Sequence, residues 1–388
     1  MKRSTNRILT THVGSLPRPA DVIEMITAKD AGKPYDHEVF AMRVRSAVAE
    51  SVRNQVDSKV DIVSDGELSK PSFSSYVRGR MNGLNVTNEP GTGGNQDLEF
   101  PGFQAWRAAN GRGPAGGGAF NRRAEVVGPL TFKGQADVQT DIANLKAALG
   151  GVRAEEAFIP SASVGIISRI DNKYYPTYDA YIRGIADVMK HEYEAIAKAG
   201  FILQIDAPEM VLDKHRPENR DKPLSDYIKN RMEPWVEALN YAMGNIPQEQ
   251  IRFHICWGNQ EGPHTRDIPL KDVVDVMLKV KAQAYSVEAS NPRHAYEWKV
   301  WKDTKLAPGK VLIPGTIDTT TNFVEHPETV ADRVVKYAGV AGRESVIAST
   351  DCGFGTSATW NLVYTPIVWA KLKSMGEGAA LATKQLWR

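Results

Sequence analysis

Short runs rich in Val, Ile, Leu and Thr alternate along this 388-residue chain with longer stretches rich in Ala, Lys and Glu, the pattern of a parallel sheet whose strands are joined by helices. The runs that predict strands lie at about 7–13, 60–65, 155–162, 201–206, 251–256, 283–288, 310–316 and 345–351. Eight such strands predict an α/β fold, a (β/α)8 TIM barrel occupying 1–388 as one domain. Runs such as Phe201-Ile-Leu-Gln-Ile and Val311-Leu-Ile are almost continuously apolar, as strands covered on both faces should be. Thr177–Ala199 and Lys271–Ala284 read as helices between strands. A ninth run, Glu125–Phe132, follows a loop too closely to have its own helix, and it predicts a β-hairpin appended before strand 3.

Composition narrows the function. Lys and Arg number 48 against 46 Asp and Glu, a formal charge of +2 with no long block of one sign, which argues against a nucleic-acid or membrane-surface partner. No apolar run approaches the roughly eighteen residues of a membrane span. The basic start Met1-Lys-Arg is followed by too little apolar sequence for a secretory signal. Two cysteines cannot build a disulfide framework, so a cytoplasmic protein with free or metal-bound thiols is expected. The segment Gly91–Gly118 is glycine-rich and lacks the strand and helix flanks of a nucleotide-binding loop. It reads as a mobile surface insertion or, more sharply, as a lid carrying Trp106, Arg107 and Arg112 over a site.

Reactive groups of such barrels stand at the C-terminal ends of the strands. There the sequence places Ser15, Glu67, Asp206, His254 with Cys256, Glu288, Asp318, and Asp351 with Cys352. In His254-Ile-Cys256 the imidazole and thiol share one strand face. With Cys352 and Glu288 they form a nitrogen, two-sulfur, oxygen set suited to tetrahedral zinc. Glu288 could equally bind substrate or orient His254. Two thiolate ligands make zinc a weak Lewis acid, so a zinc-bound substrate thiol is the expected nucleophile. Zinc-activated water is the competing use.

Taken together, Thr10-Thr-His-Val-Gly-Ser-Leu-Pro-Arg-Pro, Asp65-Gly-Glu, Gln204-Ile-Asp-Ala-Pro, His254-Ile-Cys, Ser286-Val-Glu and Asp351-Cys-Gly resemble the catalytic barrel of cobalamin-independent methionine synthase. The similarity runs in order from residue 8 to about 356 and fits the short, single-barrel members. It implies zinc ligation by His254, Cys256, Glu288 and Cys352, and an amino-acid thiol held by Ser15, Glu67 and Asp206. The activity implied is methyl or alkyl transfer to a zinc-activated thiol such as homocysteine, within methionine biosynthesis. Its partners would be a small-molecule thiol acceptor and an alkyl donor, with homo-oligomer formation left open.

Two departures from the family pattern concern the donor. Asp318-Thr-Thr-Thr stands where the synthases carry Asp-Ile-His-Ser, and Ser161-Ala-Ser-Val-Gly-Ile-Ile lacks their folate-stacking tryptophan. Short relatives include the epoxyalkane:coenzyme M transferases, in which an opened epoxide would need a proton, here from a group such as Asp318. The acceptors differ in charge: Glu67 and Asp206 would attract the ammonium of homocysteine and repel the sulfonate of coenzyme M unless Arg18, Lys70, Arg78 or Arg293 intervenes. A metal-free decarboxylase or lyase, and a zinc-stabilised binding protein, are the other readings. Trp257 is expected either to line the donor pocket or to pack, His12 to be a satisfied core histidine, and His294, Glu297 and Trp298 to reach the mouth or start a helix.

Overall fold

The computed structural model describes residues 1–90, 100–110, 120 and 122–388. Eight parallel strands form the barrel: β1 (Leu9–Thr10), β2 (Ile62–Ser64), β3 (Glu156–Ala162), β4 (Ile202–Asp206), β5 (Ile251–Ile255), β6 (Ala284–Val287), β7 (Val311–Ile317) and β8 (Ile347–Thr350). From β2 to β8 each pairs with its neighbour in chain order, and β1 pairs with β8. Hydrogen bonds from Asp61 N to the Thr10 carbonyl and from Thr11 Oγ1 to the Ile62 carbonyl join β1 to β2 and bring the sheet round on itself. The fold is the (β/α)8 TIM barrel that the alternating pattern predicts. Among the described residues no helix is long and apolar enough to cross a membrane.

The connecting helices follow from amphipathic spacing and local capping. Tyr178–Lys198 buries Tyr181, Ile182, Ile185, Met189, Tyr193 and Ile196 along one face, and its N-cap Thr177 accepts from Ala180 N. It ends at Gly200, whose φ of 89° turns the chain into β4. The predicted helix at Lys271–Ala284 is reduced to a 3-10 turn at Leu270–Asp272 and one short helix, Val274–Met277. Asn240 bonds both the Lys279 carbonyl and the Lys281 N–H, which holds that stretch open across the neighbouring helix Glu233–Ala242. The hairpin before β3 is present. Arg122–Phe132 pairs antiparallel with Met81–Pro90, a partner strand the sequence pattern did not single out, and Asp171–Asn172 adds a short third strand.

Alternate residues of each strand point inward, so the barrel fills in layers. Leu9, Ile62, Phe158, Ile202, Ala284, Val311, Ile313 and Ile347 make an apolar floor. Above it lies Arg252, 1% exposed. Its guanidinium donates to Gln204 Oε1 (2.6 Å), Thr11 Oγ1 (3.0 Å) and the His12 carbonyl (2.7 Å), and rests 3.4 Å from the Phe158 ring centroid. Burial pulls its pKa down to about 9, so it stays charged at neutral pH. His12 is the satisfied core histidine expected of it: Nε2 faces Gln55 Oε1 at 2.8 Å, Nδ1 accepts from Gly14 N, and burial drives its pKa down to about 3.

Phe158 thus supports both the floor and the charged layer. Replacing it (Phe158→Ala) should cost about 3–5 kcal/mol, seen as a fall in the urea midpoint; a loss under about 1 kcal/mol would show that the floor does not depend on it.

Candidate metal centre

In β4, β5 and β6 the register sets Asp206 beside His254 and His254 beside Ser286, one inward layer above Arg252. Cys256 and Glu288 occupy the next inward positions, and Cys352 arrives just beyond β8. The ligand atoms of His254, Cys256 and Cys352 all lie within 4.8 Å of one another and all three residues are buried. The two Sγ atoms are 3.6 Å apart. His254 Nδ1 meets Ser286 Oγ at 3.2 Å, while Nε2 is buried with no hydrogen-bond partner among the described residues. A buried polar atom left in this way is costly unless something binds it. The hydrogen bond from Cys352 to Cys256 holds the Cys256 thiol well below its ordinary pKa and the Cys352 thiol well above.

Glu288 sits beside this cluster but outside it. Its Oε1 accepts from Trp257 N at 2.8 Å and its Oε2 from Asn291 Nδ2 at 2.7 Å. Burial first, then the charge of Cys256, pushes its carboxyl well above the usual range. Of the four ligands expected, the fold therefore assembles three and keeps the fourth in the adjacent wall; the group touching His254 is Ser286. Asp351 holds the loop after Glu288, its two oxygens accepting from the N–H groups of Ala289, Ser290 and Asn291, each at 2.8 Å. Residue 315 must be glycine for this, because a Cβ there would lie 2.0 Å from Asp351 Oδ1.

The residues expected to hold a substrate line the same end of the barrel. Ser15 packs against Gly353, where a Cβ would meet its Oγ at 2.0 Å, and its carbonyl accepts from Phe354 N. Glu67 follows Gly66 in a left-handed turn, with φ of 55° at Glu67 itself, and its Oε2 is buried without a partner. Asp206 accepts from Gln204 Nε2 at 2.7 Å. Burial, then the charge of Glu67, raises the Asp206 carboxyl well above its ordinary value, and Cys256 contributes. The four candidate cations bond backbone carbonyls: Arg18 those of Gly355 and Glu67, Lys70 that of Pro160, Arg78 that of Phe120 and Arg293 that of Thr265.

Other candidates land in supporting places. Trp257 is 1% exposed; its indole N–H donates to the Ile268 carbonyl and its ring stacks on His294 at 4.1 Å, which is the packing alternative of the two expected for it. Asp318 Oδ1 accepts from Thr320 N, Thr320 Oγ1 and Thr321 N, so that oxygen fastens its own loop. Asn259, which nothing in the sequence singled out, joins three strand-end loops by donating to the Gly353 carbonyl and accepting from Thr319 Oγ1, both at 2.8 Å. Arg112 and most of the glycine-rich insertion lie outside the described residues. Within it, helix Phe103–Ala109 is pinned to the loop after β5 by Arg107, which donates to both the carbonyl and the carboxylate of Glu261 at 3.2 Å, while Trp106 is half exposed.

Fold and site together define a (β/α)8 barrel with a histidine-dithiol centre at its C-terminal mouth. The family model described as "Cobalamin-independent synthase, Catalytic domain" matches residues 171–380, and the chain belongs to that family. It is 22% identical over 381 residues to a protein named methionine synthase from Pyrococcus horikoshii, covering 98% of this chain and 94% of that one. With another of that name from Saccharolobus solfataricus it shares 24% over 387 residues, covering 98% and 96%. The same fold appears in a B12-independent methionine synthase from Shewanella sp. W3-18-1 in complex with selenomethionine, at a TM-score of 0.72, 18% identity and coverage of 98% and 99%.

His294 bridges Asp267 and Glu297, each at 2.9 Å. Burial lowers its pKa, but the bonds to those carboxylates outweigh this and raise it to about 9. The imidazolium therefore stabilises the fold fully below its unfolded value near 6.5, and that stability is lost as pH rises through about 9. His294→Gln should cost about 3 kcal/mol at pH 6 and progressively less toward pH 9; urea midpoints across that range test this, and a gap that does not change with pH would refute it.

Proposed function

We propose that this chain is a zinc-dependent alkyltransferase that moves a methyl or alkyl group onto an amino-acid thiol such as homocysteine. The observation that carries the reading is the pairing, at one end of the barrel, of a histidine-dithiol cluster with a buried carboxylate oxygen, Glu67 Oε2, that has no hydrogen-bond partner among the described residues. The donor set suits zinc: two thiolates on one tetrahedral ion with bonds of about 2.3 Å would stand about 3.8 Å apart, against the 3.6 Å between Cys256 and Cys352. The partnerless Nε2 of His254 supplies the third ligand, and Glu288 stands ready beside them.

Bound zinc would hold an incoming acceptor sulfur as thiolate near neutral pH. The chain's own residues do the rest. Ser286 fixes the ring of His254, and Trp257 N with Asn291 fixes Glu288. Glu67 and Asp206 take the substrate ammonium, which relieves the repulsion between two buried carboxylates, while Ser15 closes the pocket against Gly353. Asp318, through the oxygen outside its loop bonds, relays to the leaving group the proton released by the acceptor thiol. The helix Phe103–Ala109 is anchored by Arg107 to Glu261 in the loop that follows Cys256. An amino-acid acceptor is favoured over a sulfonate, because Arg18 and Lys70 are already committed to carbonyls. The same commitment disfavours a decarboxylase, which would need free guanidinium groups around its substrate.

Purified protein should hold one zinc per chain by elemental analysis, and Cys256→Ser or Cys352→Ser should lose it together with thiol alkylation; full activity of metal-free protein would sink the proposal. With cobalt in place of zinc, homocysteine should perturb the visible spectrum and coenzyme M, glutathione and cysteine should do so weakly. Glu67→Gln should weaken homocysteine binding by about tenfold or more with metal content unchanged, whereas tighter binding of coenzyme M than of homocysteine would assign a different acceptor.

A further inference from the structure

A second cavity opens on the same face of the barrel, away from the metal cluster. It has a volume of about 300 Å³ and lies between the segment after β3, residues 168–178, and the segment after β4, residues 213–219, with Arg231 and Trp235 completing its wall. None of the residues assigned above to the metal or the thiol lines it. The volume is at the small end of ligand pockets.

Its lining carries three guanidiniums, Arg169, Arg216 and Arg231, and three carboxylates, Asp171, Asp213 and Glu218. Arg169 is paired with Asp213 at 2.7 Å and Arg216 with Glu218 at 2.7 Å. Asp171 is drawn outward to Arg123. Arg231 is different: its guanidinium lies 4.4 Å from the ring centroid of Tyr178, its charge acts on Glu218 from a distance, and among the described residues it has neither a close ion pair nor a hydrogen bond. It is half-buried and sits in the π-helical turn Ile228–Met232, a local widening of a helix that is frequent at functional sites. The Tyr178 ring beneath it is fixed, since its hydroxyl accepts from Trp235 Nε1 at 2.5 Å and contacts Ser168 Oγ at 3.2 Å. Five rigid donors without a hydrogen-bond partner among the described residues, set over an aromatic floor, thus face a walled space.

We infer that this cavity is an accessory site for a small carboxylate with an aromatic or aliphatic body, the carboxylate held by Arg231 and the body lying along Tyr178 and Trp235. A planar carboxylate matches the guanidinium fork in two parallel hydrogen bonds. A phosphate dianion suits it less, because Asp171, Asp213 and Glu218 also line the space and balance its three guanidiniums. Aromatic walls favour a ligand with an apolar body over a bare anion.

The test titrates 3-phenylpropionate, 2-phenylethylamine and inorganic phosphate into the full-length, metal-loaded protein, following heat and tryptophan fluorescence. Saturable binding of 3-phenylpropionate is expected, weakened about tenfold or more in Arg231→Ala and in Arg231→Gln with the melting temperature unchanged. In Trp235→Phe the heat should persist while the fluorescence change is lost. The inference is overturned if no carboxylate binding saturates, if phosphate binds more tightly, if the amine binds equally well, or if both Arg231 variants bind as the parent does. Zinc content enters none of these outcomes, so they stand apart from the fate of the metal centre.

Discussion

A closed eight-stranded barrel admits only a few side chains in each interior layer, and in this one a single positive charge occupies the middle layer. Among the described residues Arg252 has no carboxylate within ion-pair distance. It is held by neutral acceptors and by the face of Phe158, an arrangement that satisfies its donors without removing its charge. Gln204 receives one of those bonds and passes its own amide N–H to Asp206 and to the Val13 carbonyl. The floor therefore carries Arg252, Arg252 orients Gln204, and Gln204 sets both Asp206 and the start of the loop that bears Ser15. Disturbance of the floor would travel upward through packed groups that have little room to adjust.

The mouth is built on a different principle. The histidine and two thiols of its cluster come from the ends of β5 and β8, far apart in sequence, so their convergence depends on loops that must not drift. Carboxylates and amides fasten those loops to one another: Asp351 gathers three backbone N–H groups behind Glu288, Asp318 ties its own turn, and Asn259 bridges the segments carrying Thr319 and Gly353. The glycines at 315 and 353 leave space for Asp351 and Ser15 respectively. Such outer contacts set the rotamers of the groups they surround and so limit the reorganisation needed when a ligand arrives. Charge is divided in the same spirit, with carboxylates crowded at the thiol site, Arg18 and Lys70 acting on Glu67, and Arg231 over Tyr178 in its own cavity.

Much of this was legible in the linear pattern. Apolar runs bounded by turn residues located all eight barrel strands, because a strand buried on both faces has no other way to read. The period of two put His254 and Cys256 on one face, and the scarcity of cysteine pointed to Cys352. The helix expected at Lys271–Ala284 shows the limit of such reasoning: its composition permits a helix, but Asn240 on a neighbouring element captures the backbone groups that the helix would use.

What the sequence by itself determined is therefore local and periodic: the fold class, the strand positions, the shared face of His254 and Cys256, and the motif order that marks the family. Tertiary structure decided the rest. It placed Glu288 in hydrogen bonds beside the cluster, turned Trp257 into a wall packed on His294, committed Arg18 and Lys70 to carbonyls, and left Glu67, His254 and Arg231 each with an unanswered polar group or charge. The physical reason is that an inward-facing position follows from backbone geometry, which short-range sequence encodes, whereas the partner of a polar side chain depends on which distant segment the closed barrel brings within about 3 Å of it.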